Sequence, residues 1–223
     1  MTDNAHNNHS KRDLSAYRQR YLRGGLDENA VPTVPTELFG EWFAQCEEAG
    51  INEPNAMILA TVDEEGQPST RTVLLKYFDE RGFVFYTNYG SDKAKHIANN
   101  AKVSLLFLWL DLERQVKIEG IAEKVSTAES LKYFTSRPKG SQIGAWVSQQ
   151  SQVITSKKLL LTQYQKMLDK FKKGDVPLPD FWGGFRVKPH KIEFWQGGDN
   201  RLHDRILYTK ADNDQWDISR LSP

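Results

Sequence analysis

The sequence predicts a mainly β fold: an antiparallel sheet, closed into a barrel or paired into a sandwich, with helices at its periphery. Three observations predict it. Short β-branched and aromatic runs follow one another across turns rich in Gly and Asp. There are more of these runs than a lone hairpin can use. They do not alternate regularly with long helices, which argues against a doubly wound parallel sheet.

The elements follow in order. Residues 1–13 are polar, bury almost nothing, and read as a disordered tail ahead of a single domain over 14–223. Residues 14–23 are weakly helical and basic, with Arg18, Arg20 and Arg23 around Tyr17, Tyr21 and Leu22. From Thr36 to Gly50, Leu38, Phe39, Trp42, Phe43, Cys46 and Ala49 recur at three- and four-residue steps, the stripe of an amphipathic helix. Cys46 lies in that stripe and reads as core, not nucleophile.

Strands follow at Ala56–Val62, Ser69–Phe78 and Phe83–Asn88, then a short helix at Ser91–Asn100. Val103–Leu110 and Arg114–Val125 form the next pair. Ser126-Thr-Ala-Glu129 is a capping box, so a helix starts there and ends before Pro138. Ser156–Lys173 is the longest helix expected, with Leu160, Tyr164, Met167, Leu168 and Phe171 as its stripe. Strands near Gly184–Val187, Ile192–Gln196, Leu202–Lys210 and Trp216–Ile218 close the chain, with residues 197–200 as a hairpin turn.

Composition narrows the function. The 223 residues carry 30 Lys+Arg against 29 Asp+Glu, a net charge of +1, with no basic stripe interleaved with aromatics. A nucleic-acid module is therefore disfavoured. One cysteine excludes an intrachain disulfide framework and a multi-cysteine zinc site. Without a bilayer-length apolar run or a signal-like N-terminus, a cytoplasmic location is expected. G-x-G-x-x-G, Walker, H-E-x-x-H and G-x-S-x-G motifs are missing.

Four clusters carry possible chemistry, and each also has a plain structural reading. Arg201, His203 and Arg205 alternate, so a strand would project them from one face as an anion-binding, proton-handling group, or as a solvated basic edge. Tyr133 and Arg137 share a helix face, with Ser141 in the loop beyond Pro138: a phosphate grip, or an ordinary exposed helix end. Arg71 and Lys76 bracket an apolar strand at odd spacing, which points them to opposite faces. Gly90-Ser-Asp-Lys93 opens a helix, where free N–H groups favour anions.

Taken together, RTVLLK (71–76), FYTN-x-GS-x-K (85–93), ERQV (113–116), YF-x-SRP (133–138), SQIGAWVS-x-QS (141–151), PLP-x-FWGGFRV (177–187) and IEFWQGG-x-x-RLHDR (192–205) resemble the pyridoxine/pyridoxamine 5′-phosphate oxidase family. The resemblance runs in order from about residue 14 to the end. It implies an FMN-binding split β-barrel that acts as a homodimer, both subunits contributing to each site. It implies oxidation of pyridoxine 5′-phosphate or pyridoxamine 5′-phosphate to pyridoxal 5′-phosphate, with O2 as acceptor and H2O2 as product.

By position, the resemblance assigns Arg71 and Lys93 to the FMN phosphate. It assigns Tyr86, Thr87, Gln115, Gln150, Ser151, Trp195 and Arg205 to further FMN contacts. Lys76, Tyr133, Arg137 and Ser141 match the substrate phosphate site. Arg201 and His203 match the catalytic pair flanking the substrate ring, and Arg18 and Tyr21 match the lid. The odd spacing of Arg71 and Lys76 then reads as two faces serving two ligands. Two positions depart from the usual pattern: Asp92, where a basic residue is common, and Arg20, where an acidic one is. Other split-barrel redox enzymes and a non-catalytic pyridoxal 5′-phosphate carrier are the alternatives; the C-terminal signature and the Arg201/His203 pair argue against them.

Overall fold

The computed structural model describes residues 20–22, 25–148 and 150–223. The expected tail and most of the expected N-terminal helix lie outside them, and residues 20–22 are not helical. Among the described residues there are nine strands: β1 (Ala56–Val62), β2 (Pro68–Leu74), β3 (Tyr77–Asp79), β4 (Gly82–Asn88), β5 (Lys102–Trp109), β6 (Arg114–Lys124), β7 (Trp182–Gln196), β8 (Asp204–Lys210) and β9 (Trp216–Arg220). They form one antiparallel sheet in the order β2-β1-β5-β6-β7-β4-β3, with β8 and β9 branching from β7. The sheet curls because the chain leaving β2 switches partners: the Leu75 N–H still donates to Asn55, but the Lys76 N–H donates to Val84 of β4. The result is a split β-barrel with helices outside it.

Helix α1 (Pro35–Glu48) lays its apolar stripe on this sheet. Phe39 is fully buried and meets Phe78, Phe83 and Phe107 edge-on at centroid distances of 4.9 to 5.0 Å. Burial of one such side chain stabilises by roughly 1.5–3 kcal/mol. Cys46 is buried in the same stripe, and burial pushes its thiol up to about 11. It is core, as its spacing indicates.

A second, smaller core lies among α3 (Thr127–Ser136), α4 (Lys139–Val147) and α5 (Lys157–Lys170), around Phe134, Ile143, Phe171 and Trp182. The capping box forms at the start of α3, where Ser126 and Glu129 satisfy each other's backbone N–H groups. Helix α2 (Asp92–Asn99) packs across β1.

Four expectations need correction. The strand expected over residues 69–78 breaks at Leu75–Lys76, where the pairing partner changes, so spacing parity no longer separates Arg71 from Lys76. Ser141 is not in a loop but in the first turn of α4; Gly140 and Gly144 hide that helix from a propensity reading. The strands expected at 184–187 and 192–196 are one fifteen-residue strand, β7, because the β6 register shifts at Glu119/Gly120 and accommodates Pro189. β8 begins at Asp204; Asn200 and Arg201 occupy left-handed backbone, φ 53° and 64°. Arg201, His203 and Arg205 therefore do not lie along one strand. In addition, α5, at 14 residues, equals α1 in length.

Candidate active site

A cavity of about 1100 Å³ opens between the β2–β4–α2 wall and the α3–α4 wall. It gathers ten of the residues singled out from the sequence: Arg71, Lys76, Tyr86, Thr87, Lys93, Tyr133, Arg137, Ser141, Gln150 and Ser151.

One cationic group centres on Arg71 and Lys93. The β1–β2 register sets Arg71 opposite Leu59 and Ser69 opposite Thr61. The Arg71 guanidinium donates to Leu59 O (3.2 Å), Thr61 Oγ1 (2.7 Å) and Ser69 Oγ (2.8 Å), all neutral acceptors. Burial lowers its pKa, against an opposing pull from Asp92. Lys93, in the first turn of α2, is only 7% exposed. Its Nζ donates to Gln150 Oε1 (3.1 Å) and Thr87 Oγ1 (3.4 Å). Burial depresses the Lys93 pKa, the neighbouring Arg71 charge lowers it further, and Asp92 partly restores it. Ser151 ties the 150–151 segment to α2, its Oγ accepting from the Asp92 N–H at 3.3 Å. The Asp92 side chain is half-exposed and lies 3.5 Å from Lys95.

The second group is built on α3 and α4. Arg137 caps α3 and lies 4.7 Å over the Trp182 ring. Its Nη1 is buried and has no hydrogen-bond partner, and burial lowers the guanidinium's pKa. Tyr133 stacks on Tyr86 at 4.1 Å, and Tyr86 in turn stacks on Trp182 at 5.4 Å. Burial pushes Tyr86 up to about 12, so its phenol stays protonated near neutral pH. Lys76, in the break between β2 and β3, and Ser141, in the first turn of α4, complete the group.

The remaining predicted residues stand elsewhere. Gln115, Trp195 and Arg205 are register partners in one row across β6, β7 and β8. His203 packs on Trp195 at 4.6 Å, and Tyr21 meets both rings edge-on. The Gly198 N–H donates to His203 Nδ1 at 3.1 Å, which leaves the proton of a neutral ring on Nε2. Tyr21 seats on Gly197, where a Cβ would stand 2.8 Å from its ring. Arg20 fastens this segment through a two-pronged pair with Asp199, at 2.6 and 3.2 Å. Arg201 is exposed on the turn. The Arg205 Nε binds Glu193 at 2.8 Å, and Lys117 binds the same carboxylate at 3.1 Å. Burial alone would raise the Glu193 pKa; hydrogen bonds from Arg205 and Lys117 hold it down. None of these residues lines the cavity. Trp182 and Trp195 sit near opposite ends of β7, about 40 Å apart along an extended strand at about 3.3 Å per residue. Arg18 lies outside the described residues.

The structure also adds residues. Thr61, behind Arg71, and Ser69, Asn88, His96 and Trp182, on the cavity wall, were not singled out from the sequence. Only the hairpin register around the turn at 63–66 and the Asp92–His96 helix spacing could have pointed to some of them.

A family model described as pyridoxamine 5′-phosphate oxidase matches residues 44–170. A second, described as the pyridoxine 5′-phosphate oxidase C-terminal dimerisation region, matches residues 182–223. The chain belongs to the pyridoxamine 5′-phosphate oxidase family. It is 61% identical over 211 residues to pyridoxine/pyridoxamine 5′-phosphate oxidase 2 of Hydrogenovibrio crunogenus, covering 95% of this chain and 99% of that one. The pyridoxine/pyridoxamine 5′-phosphate oxidase of Crocosphaera subtropica is 59% identical over 213 residues, covering 95% and 100%. Among solved structures, PhzG from Burkholderia lata, in complex with tetrahydrophenazine-1-carboxylic acid, superposes with a TM-score of 0.83 at 28% identity, covering 88% of this chain and 96% of that one. An FMN-binding, pyridoxamine 5′-phosphate oxidase-related protein of Nostoc punctiforme shares the fold, with a TM-score of 0.70 at 14% identity, covering 86% and 100%. In this oxidase-family chain the cavity lies mainly within the first matched region, and the Trp195–His203 cluster lies within the dimerisation region. Among the described residues, no helix is long and apolar enough to cross a membrane.

Proposed function

We propose that this chain is an FMN-dependent homodimeric oxidase converting pyridoxine 5′-phosphate or pyridoxamine 5′-phosphate to pyridoxal 5′-phosphate. The observation that carries the reading is a cavity with two groups of cations, Lys93 buried and Arg71 and Arg137 half-buried, that no carboxylate among the described residues hydrogen-bonds. Arg71 and Lys93 form one group and Arg137, with an orphaned N–H, anchors the other. Buried cations without an anionic partner are costly unless a ligand brings the charge. Two such groups suit two phosphate-bearing ligands, one cofactor and one substrate.

FMN, when bound, supplies the two-electron acceptor, with O2 then reduced to H2O2. The protein's own tasks follow from its side chains. Arg71 and Lys93 hold the FMN phosphate, and Tyr86, Thr87, Gln150 and Ser151 line the flavin side of the cavity. Lys76, Tyr133, Arg137 and Ser141 hold the substrate phosphate, the orphaned Arg137 N–H gaining its acceptor there. A second copy of the chain brings its Trp195 row and its Arg201/His203 turn to the open face. His203, with its proton on Nε2, orients the substrate ring through a donated hydrogen bond. Arg201 stabilises charge developing beside the carbon that is oxidised. Tyr21 and Arg18 close over the ring as a lid.

The test is direct. Purified protein should be yellow, release FMN on denaturation and consume oxygen when given pyridoxine 5′-phosphate. Colourless protein that binds no added FMN would refute the reading.

A further inference from the structure

The cavity wall holds a histidine that neither the sequence motifs nor the reading above uses. His96 sits on the cavity side of α2, four residues after Asp92. Its Nδ1 lies 3.0 Å from Thr61 Oγ1, and the same hydroxyl oxygen accepts from Arg71 Nη1 at 2.7 Å. Thr61 is 1% exposed. A guanidinium only donates, so at that contact the hydroxyl oxygen is the acceptor. The one hydroxyl hydrogen then needs an acceptor of its own, because a buried donor left unmade is costly. Among the partners of Thr61, only His96 Nδ1 can accept. The relay favours one tautomer of the ring, in which Nδ1 accepts from Thr61 and Nε2 carries the hydrogen. No protein group among the described residues accepts from Nε2.

We infer that His96 is an additional phosphate ligand of the FMN site, donating from Nε2, with Thr61 as the positioning residue that sets both its tautomer and the aim of Arg71. A neutral donor suits this place. The Arg71 charge already penalises the charge on Lys93, and a third cation would add to that cost. Asp92 is the anionic group on the same wall, and its half-exposed carboxylate is met by Lys95, leaving the ring N–H for a ligand. The inference rests on the reading of this cavity as the FMN site.

Two measurements test it. Nitrogen NMR of histidine-labelled, FMN-stripped protein should show His96 protonated at Nε2 and bare at Nδ1, and Thr61→Val should release that preference. Titrating the stripped protein with FMN and with riboflavin, which lacks the phosphate, separates ligand binding from structure. His96→Leu should weaken FMN about tenfold, the loss of roughly one hydrogen bond to a charged group, and leave riboflavin unchanged. His96→Gln, which keeps an N–H donor, should recover most of the loss. An Nδ1–H tautomer in the wild type, or His96→Leu that binds FMN normally or weakens both flavins equally, would overturn the inference alone. Wild-type protein that binds no FMN would overturn the cofactor reading and this inference with it.

Discussion

The cavity and the β7–β8 turn, the two halves of the proposed site, are built in opposite ways. The cavity holds Lys93 buried and Arg71 and Arg137 half-buried, Arg71 and Lys93 against neutral acceptors, with burial pulling the pKa values of all three down. The turn carries Arg201 exposed on left-handed backbone, while the neighbouring Arg205 is neutralised by Glu193. The first arrangement is incomplete in charge and asks for an anion. In the second, Arg205 is paired with Glu193, and Trp195, His203 and Tyr21 pack on one another away from the 1100 Å³ cavity. On the proposed reading, binding and chemistry lie on different parts of the chain, and a dimer joins them.

If the cavity is the binding half, its cations should dominate affinity. Lys93→Met should weaken FMN by one to two orders of magnitude in titrations of stripped protein, since a charge-assisted bond is worth about 1.5–3 kcal/mol. Retained affinity would remove Lys93 from the phosphate site. The division of labour should then separate kinetically. Arg137→Ala should raise KM about tenfold or more with kcat largely kept, whereas Arg201→Ala should slow flavin reduction at saturating substrate. Stopped-flow traces with the two effects exchanged would reverse the assignment.

Charge also makes the comparison sensitive to pH. Burial and Arg71 hold the Lys93 pKa below the usual lysine value, and a bound phosphate favours the charged form. Between neutral pH and that depressed pKa the lysine is already protonated, the phosphate is fully charged, and FMN affinity is level. As pH rises through it, binding must take up a proton, so affinity falls. Lys93→Arg should flatten the decline, and a wild-type affinity constant from neutral to strongly alkaline pH would contradict the assignment. The smallest effect belongs to Asp92. Its carboxylate faces the same wall but is half-exposed, so Asp92→Arg should tighten FMN only about threefold at low salt, with the gain lost at high salt.

The sequence made the local elements legible wherever periodicity or a cap was strong. The α1 stripe, the β1 run and the Ser126 capping box formed where expected because each signal lies within a few residues. What needed partners was not legible. The row of Gln115, Trp195 and Arg205 exists only through the register of three strands. Parity misled at Arg71 and Lys76 because the intervening strand breaks where pairing passes from β1 to β4. It misled again at Arg201, where the turn enforces positive φ and no strand has begun. Thr61 and His96 carried no motif at all, and their meeting behind and beside Arg71 is a product of packing α2 on β1. Resemblance supplied what local physics could not, by grouping in advance the ten residues that the cavity gathers.

The central claim, that each site is completed by the other copy of the chain, is tested most directly by complementation. One variant would lose the cavity half through Lys93→Met and Arg137→Ala, the other the turn half through Arg201→Ala and His203→Ala. Assayed with FMN and substrate at concentrations that just saturate the wild type, each alone should be nearly inactive. After mixing under conditions that exchange subunits, half of the dimers should be mixed, each with one intact site of two, restoring about a quarter of wild-type activity. A mixture that stays inactive although exchange is verified by mass would show that cavity and turn do not meet across the dimer, and would contradict the account.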